Sequence, residues 1–230
     1  IISKKMKKFL MHPLCALACV SVGILLYFVV CYAMRAKYGP FDLDASGATD
    51  ALTYLFYGMA FSVLMCFYGD YMHTPRQSTY FGLIFLWIIT LLREMGLQHW
   101  LAINDSTAIK INYFKNPAVP FYGKVISAVV ILTVVSVILF LLCKNFKKMV
   151  RGFFKLNPLY WTIATFGGWG MVTQIADRFN SNYARWTGER VSEPVLFFIT
   201  IIEEGGESLL PLLFILALIQ CHLQLKENHL

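Results

Sequence analysis

Six long apolar runs separated by short polar segments dominate the chain, covering about residues 13–34, 51–68, 79–101, 120–143, 158–176 and 194–222. Wound as a helix at 1.5 Å per residue, each run is long enough to cross a hydrocarbon core of roughly 30 Å. Backbone groups in that core must be satisfied within the segment, and a helix does this. The pattern predicts an all-α polytopic membrane protein. Its six transmembrane helices would form one bundle, a single integral membrane domain over residues 1–230. The first run follows lysines, as a signal peptide would. It is longer than a signal core and lacks a clear cleavage site, so it reads as a retained anchor.

The polar segments set the orientation. Lys4, Lys5, Lys7 and Lys8 precede the first run, and Lys144, Lys147, Lys148, Arg151 and Lys155 follow the fourth. Basic residues mark the cytoplasmic side, so both termini are expected inside. Asp42, Asp44 and Asp50 fall on the opposite side, and the segment from Arg178 to Glu193 reads as an outer loop. The expected location is a plasma membrane, the inner membrane of a bacterium.

Composition agrees with this reading. Of 230 residues 58% are hydrophobic and 14% charged, against about 25% charged in soluble proteins. Mean hydropathy is +0.61. The net charge of +7 does not point to nucleic acid, because the basic residues sit at span ends, where membrane lipids are the expected partners. An oligomer or membrane complex is compatible with the composition. The six cysteines all fall in or beside apolar runs with no C-x-x-C pair, which suits packing rather than metal binding.

One run carries unexpected chemistry. Glu203-Glu204-Gly205-Gly206-Glu207 lies inside the sixth apolar segment. Ionisable groups at that depth cost roughly 2.5–3.5 kcal/mol each on insertion scales. On the six-span topology, Glu94 and His99 of span three and Asp177 of span five fall in the same outer-half slab. Together with Arg93 and Arg178, the five carboxylates keep a surplus of about three negative charges, to be met by a proton, a cation or water. Glu203 and Glu207, four apart, share one helix face, and Glu204 points about 100° away. Gly205-Gly206 and Gly167-Gly168-Trp169-Gly170 weaken their helices, as at a cavity or a close helix crossing.

The leading expectation is a metal-dependent membrane-embedded enzyme, a hydrolase or lipid-modifying enzyme acting on a lipid or lipid-linked substrate. Glu94, His99, Asp177, Glu203 and Glu207 would be metal ligands. Their types suit a divalent metal such as zinc, manganese or iron. Glu203 and Glu204 would act as general bases, with Arg93 and Arg178 stabilising an anion. Arg185, Arg190 and Trp186 would hold a polar headgroup. Two alternatives remain open: a proton- or cation-coupled transporter or channel, and a non-catalytic membrane subunit held together by the charged network. The inner halves of the spans read as nearly all apolar, which favours a one-sided site over a through-path.

The glutamate pair is similar to that of intramembrane CAAX-type proteases, but Ser208 stands where their arginine belongs. Di-iron desaturases need more clustered histidines than the five here. Asp42 to Asp50 opens like a calcium loop whose closing glutamate is replaced by Thr53. Asn104-Asp105-Ser106 forms a formal glycosylation sequon.

Overall fold

The computed structural model describes residues 3–39, 48–72, 74, 76–96 and 111–228. Every regular element among them is a helix: α1 Lys4–Leu10, α2 Cys15–Tyr38, α3 Ala48–Cys66, α4 Tyr68–Tyr71, α5 Gln77–Glu94, α6 Ile111–Lys115, α7 Phe121–Phe154, α8 Pro158–Thr187 and α9 Glu193–Asn228. Among the described residues, three stretches are long and apolar enough to cross a membrane: Cys15–Tyr38, Phe121–Phe154 and Glu193–Lys226. The apolar stretches Ala51–Cys66 and Gln77–Arg93 are shorter. Polar residues interrupt the apolar run of α8 from Gln174 onward.

The chain forms two compact units, residues 1–64 with 150–230, and residues 65–149. In the first, α2 and α8 both pack antiparallel to α9. The register along α8 is set by Asn157 with Gln224, whose Nε2 donates to Oδ1 at 3.0 Å, and by Phe166 against Phe214 at 6.5 Å between ring centroids. Along α2, Gly23 faces Leu209, Gly205 faces Tyr27 and Cys31 packs with Ile201. Cys15, Ala16 and Val20 meet Leu213 and Leu216 in one core cluster of this unit, with Phe166 and Trp169 against it. On α3, Thr53, Tyr57, Ala60 and Leu64 are buried. Their spacing of four, three and four puts them on one helix face.

α9 is the central helix of this unit. No residue from Ile199 to Leu225 is exposed. The first turns of α2 and α8 and the last turns of α9 share one end, tied by Gln220 Nε2 donating to the Leu10 carbonyl at 2.8 Å. That end carries Lys4, Lys5, Lys7, Lys8 and Lys226.

Polar groups are also sealed into this bundle. Thr162 and Gln220 are fully buried, and Thr162 Oγ1 and Gln220 Oε1 have no hydrogen-bond partner. An unsatisfied buried hydroxyl costs about 1–3 kcal/mol. Thr162→Val keeps the shape and removes the hydroxyl, so it is expected to stabilise the protein by about 1 kcal/mol. Thermal unfolding in detergent checks this, and an unchanged or lower Tm would contradict it.

In the second unit, Tyr71 stacks on Tyr80 at 4.9 Å between centroids. Gly82 lies against Leu141, and Lys144 Nζ donates to Ser78 Oγ. Tyr113 and Val119 form a small buried cluster.

Three helix ends differ from the sequence expectation. α5 stops at Glu94 rather than Leu101, because Gly96 takes a positive φ of 77°. α7 runs eleven residues past Cys143, to Phe154. The expected outer loop from Arg178 is helical to Thr187, and α8 ends only where Gly188 adopts φ 74°. α5 and α8 end where a glycine takes a positive φ, whereas α7 runs through Gly152 and ends just before Leu156, which has φ 53°.

Candidate functional site

The acidic run occupies the middle of α9. Its two glycines make room for different neighbours. A Cβ on Gly205 would lie 2.6 Å from Tyr27 Cδ1 of α2. A Cβ on Gly206 would overlap Thr173 Cγ2 and sit 2.9 Å from Trp169 Nε1, both on α8. Ser208 faces a third helix: Thr53 Oγ1 of α3 lies 2.7 Å from Ser208 Oγ, which itself donates to the Glu204 carbonyl at 3.0 Å. A hydroxyl chain therefore pins α3 to α9 beside the glutamates.

These contacts locate the carboxylates. Successive helix residues turn about 100°. With Gly205 set toward α2, Gly206 points about 100° round toward α8 and Ser208 about 300° round toward α3. Glu203, Glu207 and Glu204 then fall at about 160°, 200° and 260°. All three occupy the sector opposite α2, between α8 and α3, and all three are half-buried.

Asp177 is level with this group. Thr173 beside Gly206, continued one turn along antiparallel helices, brings Asp177 to the height of Glu203. Its side chain is 46% exposed and accepts a hydrogen bond from the adjacent Arg178 Nε at 3.3 Å. Arg178 is therefore engaged with Asp177, while Arg93 is exposed in the other unit. The Glu94 side chain and His99 lie outside the described residues, as do Asp42, Asp44 and the Asn104 sequon. Among the described residues no group of three or more His, Cys, Asp or Glu side chains converges as metal ligands.

Arg185 and Trp186 stand on the last turns of α8 rather than on a loop, and Arg190 follows its end; all three are exposed. Thr187 Oγ1 donates to the Tyr183 carbonyl and accepts from Glu189 N, closing the helix. Nearby, Arg35 Nη2 donates to Glu193 Oε1 at 2.7 Å, and Arg35 Cζ lies 4.7 Å from the Phe197 ring centroid. This clamp joins the C-terminal end of α2 to the start of α9.

The sequence reading passed over Tyr27, Trp169, Thr173 and Thr53, the side chains that surround the acidic run. The paired glycines were the available signal, since each marks where a bulky neighbour must fit. In the sequence, the halves of the apolar runs nearer the basic residues read as nearly all apolar. Thr162, Gln220, Asn157 and Gln224 instead continue polar groups along the α8–α9 seam toward the basic end. The chain matches no protein-family model, no curated protein and no solved structure.

Proposed function

We propose that this chain is a six-span integral membrane protein with cytoplasmic termini, whose central helix α9 carries a cation-binding carboxylate site. In its most specific form the cation is a divalent metal, and the protein is a membrane-embedded enzyme acting on a lipid or lipid-linked substrate. The observation that carries the reading is the placement of Glu203, Glu204 and Glu207 in one half-buried sector of α9, level with Asp177. Three carboxylates in one sector concentrate negative charge, which a bound cation would neutralise. Glu203 and Glu207 are the first ligands assigned, with Asp177 beside them. Glu204 is the base that takes a proton from water. Arg185, Trp186 and Arg190 are assigned to a phosphate-bearing headgroup.

Metal analysis of detergent-purified protein, after incubation with zinc, manganese or iron and desalting, tests the site. About one metal ion per chain is expected, falling to background in Glu203→Ala/Glu207→Ala. Background metal in the unaltered protein would overturn the metalloenzyme.

One observation favours a second reading, proton or cation movement. The buried Thr162 and Gln220 lie along the same seam, toward the basic end. In that case metal content stays at background. Liposomes containing the protein then show a cation- or proton-dependent flux that Glu207→Gln abolishes.

A further inference from the structure

The C-terminal third of α7 is built as an amphipathic basic stripe. Lys144, Lys147, Lys148, Arg151 and Lys155 are all exposed. The helical bonding reaches Lys155, whose N–H donates to the Arg151 carbonyl at 3.1 Å. At about 100° per residue these five fall within an arc of about 100°. Phe146, Val150 and Phe153 occupy the opposite side, and Phe146 is 60% exposed.

Three bland explanations fall short of this arrangement. Basic residues complement the helix dipole only in the last turn, and this stripe covers three turns. Orientation in a membrane needs positive charge near the span end but no particular helix face. Pairing within the helix does not account for it either, since no acidic residue occurs from Phe121 to Ala176. Like charges three and four residues apart disfavour the helix that carries them. An anion outside the chain would relieve that repulsion.

Length identifies the anion. The uncharged part of α7, residues 125–143, measures about 28 Å as a helix, close to the roughly 30 Å of the hydrocarbon core. The stripe starts at the next residue without a spacer, so its first turns fall in the layer of lipid phosphates. We propose that this face of α7 binds the headgroups of anionic phospholipids in the leaflet where the helix emerges. The inference rests on α7 being a membrane span. Lys144 also touches Ser78 and the Phe140 ring, so the stripe begins where α7 meets α5. Lipid binding there would hold that junction at the membrane surface.

Native mass spectrometry of the detergent-purified protein, with phosphatidylglycerol or phosphatidylcholine added, tests the proposal. Retention of phosphatidylglycerol over phosphatidylcholine by at least tenfold is expected. The variant Lys147→Gln/Lys148→Gln/Arg151→Gln/Lys155→Gln should lose that preference, and the all-arginine version of its lysines should keep it. Equal retention of the two lipids, or a preference that survives the quadruple glutamine variant, would overturn the proposal. So would an acidic protein that co-purifies through the stripe without any lipid preference. Carbonate extraction separates the underlying reading: release of the chain from membranes would overturn the span itself. A chain that stays in the membrane without lipid preference overturns only the docking face.

Discussion

Gly206→Leu is expected to unpack α8 from α9 and to cost the protein about 3 kcal/mol or more. Even a single Cβ there overlaps Thr173 Cγ2 and comes within 2.9 Å of Trp169 Nε1. Neither neighbour yields easily. Thr173 is β-branched and 1% exposed, so its rotamer is fixed by backbone and surroundings. Trp169 is packed against the core formed by Cys15, Val20, Leu213 and Leu216. Overpacking of this kind typically costs about 1–3 kcal/mol, and a whole leucine exceeds the single methyl. Gly206→Ala should fall within that range despite the roughly 1 kcal/mol that alanine gains over glycine in a helix. Thr173→Ser removes the overlapping methyl, so the double variant Gly206→Ala/Thr173→Ser should recover most of the loss. Gly167→Ala and Gly168→Ala are the controls, because a Cβ at either position meets nothing within 4 Å. Thermal unfolding of the five variants in detergent orders them. A Gly206→Leu protein as stable as the parent would refute the close crossing of α8 and α9.

The second large effect is expected at Gly152. This buried glycine stands at the turn from α7 into α8, and a Cβ on it would overlap the Tyr160 ring. The turn is tightly specified. Asn157 N–H bonds the Gly152 carbonyl at 3.0 Å and Leu156 N–H bonds the Phe153 carbonyl at 3.1 Å, the pattern of a Schellman cap. Leu156 accepts the left-handed conformation at φ 53° that glycine usually supplies. Trp161 stacks on Phe153 at 4.8 Å and its Nε1 donates to the Phe153 carbonyl at 3.0 Å. A β-branched side chain at position 152 cannot coexist with this closure. Gly152→Val should cost about 3 kcal/mol and open the segment 155–157 to limited proteolysis. Tyr160→Ala vacates the ring and should restore resistance to cleavage in the double variant. A Gly152→Val chain as resistant as the parent would contradict the geometry of the turn. Leu156→Gly, which relieves a left-handed leucine, should move stability the other way by about 1 kcal/mol.

Much of the helical architecture was legible because α2, α7 and α9 are long apolar runs. What escaped was where helices stop. α7 continues through Lys144 to Phe154 because neither glycine nor proline interrupts Lys144 to Arg151, and lysine and arginine are good helix formers. α8 continues through Asp177 and Arg185 for the same reason: the next glycine is Gly188. α5 stops early because Gly96 is available, although apolar residues continue beyond it. The acidic run was legible as chemistry, and the depth argument placed Asp177 level with it. The facing of the run was not legible. Adjacent glycines point about 100° apart, so Gly205 and Gly206 serve different helices, and sequence alone does not say which. Grouping by depth also joined to the acids Arg93, a residue of the other compact unit.

The central position of α9 bears on how such a bundle is made. Tyr38 ends α2 long before Glu193 begins α9. At a synthesis rate of roughly 5–20 residues per second the interval is about 8–30 s. On the six-span reading, Cys15, Ala16, Val20 and Cys31 spend that time against lipid tails, which are as apolar as their eventual neighbours. Waiting costs such a face little. A helix carrying three carboxylates would fare far worse in bare lipid. On that reading it would enter the membrane after α2, α3 and α8, when the groups that receive it are already there. On the six-span reading, the order of the helices along the chain would thus spare the acidic one from being inserted alone.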